Sequence, residues 1–499
     1  MPTYRLRHAV FFSPLLLLLV GLLLSLTVTD PFFAGARTVV DWLLVRFDWL
    51  FSWSTFLFVV LILVVYGSPL GRTRIGGAAA MPLINRWRWF AITLCTTIAT
   101  GILFWGTAEP IFYLTDPPAG SGPAPAVFAM STLFFHWTVT PYAIYTVAGL
   151  SFALAYYNQR QPFTLATMLF ALLGRRAHGW VGQVVDAVCL FALVAGMAAS
   201  LGAGILTLAG GLARFLPGLA SDGLLYGLIG GAIVLAFLLS AASGLQRGIR
   251  VLSNLNVIGF ILLAIFVATC GPLRAMLGLA ADGLVDYVVN FLPRSTVIGT
   301  DLPADWRHEW TVFYWANWFA WVPISALFLG RLAVGYTVRE FIQTNLFFPS
   351  VFGGLWMIVF GGASITYDGL LGGVFQKALA GTGPESLIYL LFEQLPFTTV
   401  IVGFFLVIVF LSYVTAADSN ISAMSALSVE GIAPESPEAP LYIRLVWGTV
   451  IGLVSWVMIT FAGIDGIKLI STVGGFPAML LVTAVGVGLV RTLLAKGEV

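Results

Sequence analysis

Residues 313–323 read FYWANWFAWVP, an aromatic stretch that contains no charged residue. Trp315, Trp318 and Trp321 recur every three residues, so a helix would keep the three indole rings close to one face. An aromatic belt at the membrane interface is one interpretation, but the stretch falls inside the longer apolar run 309–333. We predict that it belongs to a membrane-spanning helix and faces a binding site.

Two further residues of this stretch favour a site over simple packing. Asn317 places a polar amide among the rings. Pro323 lacks a backbone donor, which favours a kink in the helix.

The rest of the chain has the composition of a membrane protein. Of its 499 residues 59% are hydrophobic and 9% are charged, whereas soluble domains have about 25% charged residues. So few charges cannot cover a water-facing surface, and the bilayer must therefore act as the solvent. The net charge of +2 gives no reason to expect a nucleic-acid partner. Paired acids, a metal-ligand set or a nucleophile with its base are also missing from the sequence, so we expect neither an enzyme nor a cofactor.

Apolar runs of about 20 residues, the length that crosses a bilayer, predict an all-α integral membrane protein with twelve transmembrane helices. We interpret residues 1–499 as a single transporter domain. The predicted spans are 10–29, 48–67, 89–108, 127–156, 181–212, 223–242, 251–271, 309–333, 346–366, 397–417, 441–463 and 468–491. Apolar residues at helical spacing in 276–292, with acids between them, indicate an amphipathic helix on the membrane surface.

The basic residues predict the orientation in the membrane. With the N-terminus inside, 16 of the 24 Lys and Arg residues fall on the inner side of the predicted spans. Because inner loops carry the excess of positive charge, we expect both termini to be cytoplasmic.

The third predicted helix contains a stretch that tolerates unwinding. Its five residues are β-branched or small, namely Thr97, Ile98, Ala99, Thr100 and Gly101. Freed carbonyls at membrane depth are tolerable only beside a cavity or an ion. Close helix packing through small residues is the alternative.

Acidic residues near the spans have structural and functional interpretations. We expect Glu109, followed by Pro110, to end the third helix at the outer surface, and Asp186 to lie at the cytoplasmic end of the fifth. An acid inside a membrane is a functional hypothesis by default, but a structural role for Asp186 is the favoured interpretation.

The fourth predicted helix carries a second aromatic group that includes Trp137, Tyr142 and Tyr145. A quaternary ammonium has no N–H to donate, and aromatic faces are its natural host. The groups on helices four and eight would form a cage if the fold brings them together.

The two unusual helices begin two blocks of five. Helices three to seven cover 89–271 and helices eight to twelve cover 309–491, after two peripheral helices in 10–67. An odd number of helices in each block implies an inverted repeat, and many secondary transporters with this design bind their solute between the broken helices.

Several stretches resemble the betaine/choline/carnitine transporter family. Residues 315–323 resemble its Trp-Ala-Trp-Trp-x-x-Trp-x-Pro signature, and 135–145 resemble its fourth helix. Further likenesses lie at 200–202, 247–256, 330–341 and 415–419. The chain is therefore identified as a divergent member of this family.

The resemblance implies secondary transport by alternating access, in which a small quaternary-ammonium or zwitterionic solute is imported or exchanged. Betaine, choline and carnitine are the expected solutes. The protein would be a multi-pass bacterial inner-membrane protein in contact with lipid, and commonly a homotrimer. The substrate site would map onto Trp137, Tyr142, Tyr145, Trp318 and Trp321, with Asn317 on the same path and Trp315 as a motif residue that can face elsewhere.

Departures from the family pattern affect the expected solute. Asn317 and Tyr142 stand where relatives have tryptophan, so the site is more polar and a zwitterion with hydrogen-bonding groups is favoured. An inverted-repeat transporter for amino acids or another small zwitterion stays the alternative, because backbone amides at the break in helix three can meet a carboxylate.

Ion coupling stays open in the sequence. Sodium prefers hard oxygen ligands, and Ala416 removes one hydroxyl from the Thr-Ser pair of sodium-coupled relatives. The remaining sodium site would use carbonyls near Cys95 and Ile98 with Thr415. Gly101 stands where proton-coupled relatives have aspartate, so ion-independent movement is equally open.

Overall fold

The computed structural model describes residues 5–98, 101–119, 124–216, 218–243, 246–430 and 439–495, with side chains at 91, 94–98, 241–243 and 246–254 outside the description. Within these ranges the chain forms α-helices, joined by short π and 3-10 turns, and no β-strand. The helices are α1 (His8–Thr27), α2 (Thr29–Gly67), α3 (Arg86–Ile98), α4 (Gly101–Thr115), α5 (Pro125–Trp137), α6 (Val139–Ala153), α7 (Phe170–Leu173), α8 (Trp180–Phe215), α9 (Gly223–Ser243), α10 (Gln246–Cys270), α11 (Leu273–Thr296), α12 (Ala304–Arg307), α13 (Phe313–Arg331), α14 (Val338–Ile342), α15 (Phe348–Leu370), α16 (Val374–Thr382), α17 (Leu387–Glu393), α18 (Thr398–Leu427) and α19 (Leu441–Leu494).

The fold is that of an integral membrane protein. Ten helical segments of the described chain are long and apolar enough to cross a bilayer. Large apolar side chains stand exposed along α1, α2, α9, α10 and α11, where lipid rather than water is their suitable neighbour. The predicted all-α membrane class is confirmed.

The most buried helices mark the centre of the protein. The apolar window within Pro125–Asn158 is 94% buried and that within Ala304–Arg331 is 83% buried, whereas that of α1 is 33% buried. α13 packs against α6, α8 and α19. The two helices that carry the predicted aromatic groups therefore lie side by side in the interior.

The fourth predicted span is broken at Thr138. α5 ends at Trp137 and α6 begins at Val139, and Thr138 between them has φ −118° and ψ −116°. Pro141 explains the break, because it has no N–H for the Trp137 carbonyl four residues earlier, and its ring would clash with that carbonyl. Gly353 of α15 gives this carbonyl room, since a Cβ there would lie 2.4 Å from the oxygen.

α19 contains 54 residues but is interrupted at Gly463, which has φ 55° and ψ −133°. An unbroken helix of this length would extend about 81 Å, far more than the roughly 30 Å of a hydrocarbon core. The positive φ suits glycine. The interruption separates the predicted spans 441–463 and 468–491.

The prediction that Glu109 ends a helix at the outer surface was wrong. α4 continues through Glu109 and Pro110 to Thr115, and the Glu109 side chain is fully buried. The carboxylate is stable there because neighbouring side chains donate hydrogen bonds to it.

Asp186 has a structural partner. It is buried in the second turn of α8 and accepts hydrogen bonds from Arg7 Nη2 at 2.5 Å and from the Ala166 amide at 2.8 Å. Arg7 also donates to the Leu427 carbonyl at 3.0 Å. The residues before α1 thus connect the start of α8 to the end of α18.

Candidate functional site

Trp318 of α13 lies against three other aromatic side chains. Its ring centroid is 5.4 Å from that of Trp137, 5.8 Å from Tyr142 and 5.3 Å from Tyr145. All four side chains are buried. We call this group the aromatic cluster. The cluster spans the break at Thr138, since Trp137 ends α5 whereas Tyr142 and Tyr145 belong to α6.

Both indole N–H groups of the aromatic cluster are already used. Trp318 Nε1 donates to the His136 carbonyl at 3.1 Å, and Trp137 Nε1 donates to Glu109 Oε2 at 2.6 Å. These bonds fix the two rings from their edges. The faces of the two rings stay available to a solute, and aromatic faces attract cations.

The Tyr142 hydroxyl is the unsatisfied polar group of the cluster. It is buried, and within the described residues it has no hydrogen-bond partner. A buried hydroxyl without a partner is costly. It is thus suited to hydrogen-bond a polar group of a bound molecule.

The other predicted residues of α13 lie outside the aromatic cluster. Trp315 packs against Phe135, with centroids 5.2 Å apart, and Asn317 Oδ1 accepts a hydrogen bond from Ser471 of α19 at 3.2 Å. Trp321 lines a separate cavity. Each step of three residues turns a helix by about 300°, so the tryptophans spread over neighbouring sectors instead of sharing one face.

The cavity beside Trp321 has a volume of about 30 Å³. It lies between α8, α13, α18 and α19. Its lining residues are Met197, Ser200, Leu201, Trp321, Tyr413, Ala416, Ala417, Asn420 and Ile451. A cavity of this volume holds no more than a few water molecules, so a solute could enter it only if the surrounding helices move apart.

A family model of betaine/carnitine/choline transporters matches residues 9–498. The chain belongs to this family. It is therefore a secondary transporter and not an enzyme, and it is a multi-pass protein of the inner membrane. The family membership predicted from the tryptophan motif is confirmed.

Relatives of this transporter carry related solutes. It is 33% identical to glycine betaine transporter 1 of Vibrio parahaemolyticus over 447 residues. This match covers 87% of this chain and 83% of that protein. The high-affinity choline transport protein of Escherichia coli K12 is 28% identical, over 98% of this chain and 72% of that protein. An ectoine/hydroxyectoine transporter of Virgibacillus pantothenticus is 27% identical, over 99% of this chain and 97% of that protein.

The predicted break in helix three lies partly outside the residues that the structure of this transporter describes. Ala99 and Thr100 lie outside the described residues, as do the side chains of Cys95, Thr97 and Ile98. Gly101 begins α4, and a Cβ there would lie 3.7 Å from the Trp137 ring. The start of α4 is thus adjacent to the aromatic cluster.

Thr415, the third member of the predicted ion site, uses its hydroxyl proton within α18. Its Oγ1 donates to the carbonyls of Leu411 at 2.8 Å and Ser412 at 3.1 Å. The oxygen lone pairs stay available to a cation. Among the side chains that the structure describes, no group of three His, Cys, Asp or Glu could hold a metal ion.

Three residues that support the aromatic cluster were not predicted from the sequence, namely Glu109, His136 and Tyr314. Tyr314 stacks on His136, with centroids 4.5 Å apart, and contacts Trp137 at 5.6 Å. Its position four residues before Trp318 was the available signal, because such residues share a helix face. Glu109 was also visible, as an acid directly after the predicted span 89–108.

Proposed function

We propose that this transporter carries a solute with a quaternary-ammonium head, such as glycine betaine, choline or carnitine, and binds that head at the aromatic cluster. The observation that carries the proposal is the contact of Trp318 with Trp137, Tyr142 and Tyr145. Relatives named for betaine and choline transport support the same chemistry.

The physical reason is desolvation of the cation. A quaternary ammonium in the bilayer interior loses its water and cannot donate hydrogen bonds in exchange. Each aromatic face returns ~0.5–2 kcal/mol, so several faces must act together. The rings are packed together here, so they must separate to admit the head, which is consistent with alternating access.

The Tyr142 hydroxyl favours a solute with an acceptor group. Its lack of a partner in the described residues suits the carboxylate of betaine or carnitine. Removal from water is less costly for a zwitterion whose carboxylate is hydrogen-bonded. We therefore place glycine betaine before choline as the expected solute.

We propose that the cavity beside Trp321 becomes part of the solute's route when the helices around it move apart. Trp321 follows Trp318 by three residues on α13, and Asn420 and Ser200 are among the residues that line the cavity. We propose that the solute crosses this cavity between the cluster and one side of the membrane. Asn317 and Trp315 support α13 from its other sides.

We also propose the twelve-span architecture in two inverted repeats, 89–271 and 309–491, after peripheral helices in 10–67. α5 with α6, and the two parts of α19 around Gly463, supply spans that are broken rather than straight. The homotrimer stays a prediction from the family resemblance.

The topology predicts opposite sides for two loops. Arg72 follows α2 and Asp116 follows α4, and both side chains are exposed. In a background without the native cysteines, Arg72→Cys should react with an impermeant maleimide only from the cytoplasmic side. Asp116→Cys should react only from the outer side. Labelling of both from one side would contradict the orientation.

The ion site predicts weak sodium dependence. Ala416 lines the cavity and has no side-chain oxygen. The family resemblance implies that the buried Leu193 and Met197 stand where sodium-coupled relatives have threonines, and these two side chains have no oxygen either. Uptake of glycine betaine into proteoliposomes should be nearly equal in sodium and potassium buffers. Ala416→Ser restores a hydroxyl and is the matched test of that position. Steep stimulation of the wild type by sodium would refute the prediction.

A further inference from the structure

Glu109 is a buried acid in the second half of α4, in direct contact with Trp137 of the aromatic cluster. Its side chain has no exposed surface. Oε1 accepts hydrogen bonds from Tyr113 at 2.8 Å and from His136 Nδ1 at 2.8 Å, and Oε2 accepts from Trp137 Nε1 at 2.6 Å. Three donors around one carboxyl group match an ionised carboxylate, which can only accept.

The hydrogen bonds of His136 fit the same charge state. A neutral imidazole with its proton on Nδ1 donates to Glu109 and accepts from the Thr311 hydroxyl through Nε2 at 3.2 Å. This arrangement satisfies both ring nitrogens. The negative charge of Glu109 is then not neutralised by its histidine neighbour.

Glu109 differs in this respect from three of the protein's acids, although the buried Asp368 also has only hydrogen-bond donors around it within the described residues. Asp186 pairs with Arg7, Asp286 with Arg294 and Glu309 with Lys468. Among the described side chains, Glu109 has no Lys or Arg within ion-pair distance, and His136 is its only basic neighbour. A buried carboxylate without a cation is costly, and a cationic solute nearby would lower that cost.

We propose that Glu109 sets the affinity of the aromatic cluster for a cation by acting through Trp137. Its carboxylate holds the indole by the N–H and fixes the ring against Trp318. The short bond also pushes electron density toward the ring, which makes its face a better host for a positive charge. Glu109 is thus a positioning residue, and this inference rests on the proposed quaternary-ammonium function.

Glu109→Gln is the direct test. A glutamine oxygen can still accept from Tyr113 and His136, but its amide would then turn an N–H toward the Trp137 N–H. That bond is lost while the volume is kept. We expect the Kd of purified protein for choline and glycine betaine, measured by calorimetry, to rise about tenfold.

The matched control is Glu393→Gln. This acid of α17 is 36% exposed and pairs with Arg214 of α8, and neither residue contacts Glu109 or the aromatic cluster. The same change of charge there should leave the Kd of both solutes unchanged. An unchanged Kd in well-folded Glu109→Gln would overturn the inference, whereas a wild type that binds neither solute would overturn the proposed function instead.

A double-mutant cycle with Trp137→Phe separates action through Trp137 from a purely structural role. Phenylalanine keeps a ring but has no N–H. If Glu109 acts through the indole, Trp137→Phe alone should lose most of the affinity, and Glu109→Gln should add little on that background. Fully additive losses would contradict the inference. If Glu109→Gln fails to fold, the affinity of Trp137→Phe decides, and an unchanged Kd again counts against it.

Discussion

Replacing Trp318 with alanine is expected to weaken binding of glycine betaine or choline about tenfold or more, since ~1.4 kcal/mol is a factor of ten. Trp318 is the one ring that contacts all the others of the aromatic cluster. Its loss removes a face and also frees Trp137 and the two tyrosines to move. Calorimetric titration of purified, folded protein measures the change. Trp318→Phe should lose less, because a ring face remains.

The control for Trp318→Ala is another buried tryptophan. Trp447 of α19 is fully buried and donates to Ser428 at 3.0 Å, away from the aromatic cluster. Trp447→Ala should lower the yield of folded protein but keep the Kd. Equal affinities in wild type and a folded Trp318→Ala would show that the rings only pack the bundle.

Gly475→Val is expected to abolish accumulation of folded transporter. A Cβ at Gly475 of α19 would lie 2.0 Å from the Ala316 carbonyl oxygen and 2.6 Å from its Cα. This neighbour is backbone of α13, which carries the aromatic cluster, so relief requires the whole helix to shift. Ordinary overpacking costs ~1–3 kcal/mol, and a clash with backbone exceeds it. Size-exclusion profiles of detergent extracts measure the folded fraction.

Gly231→Val is the matched control for this packing prediction. Gly231 lies in α9, where an added Cβ meets nothing within 4 Å. The same change of volume in a membrane helix should leave the yield close to that of the wild type. A normal elution profile for Gly475→Val would contradict the close contact between α13 and α19.

Much of the fold could be predicted because the bilayer imposes it. Apolar runs must become helices, since no water is present to satisfy the backbone. The breaks inside the membrane-spanning helices were harder to predict. Pro141 was visible, but the interruption at Thr138 also depends on Gly353, which is distant in sequence and leaves room for the freed carbonyl.

The closeness of four of the candidate rings could be predicted from the sequence, whereas their role in binding stays a prediction. Trp318, Trp137, Tyr142 and Tyr145 come together as the family motif implies. Trp321 lines the cavity instead of joining these rings. This could not be predicted, because the sequence gives the spacing of residues along α13 but not the helix that each side of α13 contacts. The position of Glu109 was predicted wrongly because the sequence does not show which side chains of other helices lie near it.

Glu109 shows how hydrogen bonds override a local rule. An acid followed by proline is typical of a helix end, and the sequence alone gives no sign of its donors. Tyr113 is one turn away on α4, but His136 and Trp137 come from α5. Only the packed helices show that the carboxylate is satisfied in the interior.

The most direct test of the central claim is uptake by the purified transporter in proteoliposomes. Radiolabelled glycine betaine, choline, carnitine, proline and glutamate would each be supplied to wild type, Trp318→Ala and Trp447→Ala. We expect saturable uptake of at least one trimethylammonium solute by the wild type and Trp447→Ala, and a large loss in Trp318→Ala. Saturable uptake of proline or glutamate alone, with none of any trimethylammonium solute, would contradict the account.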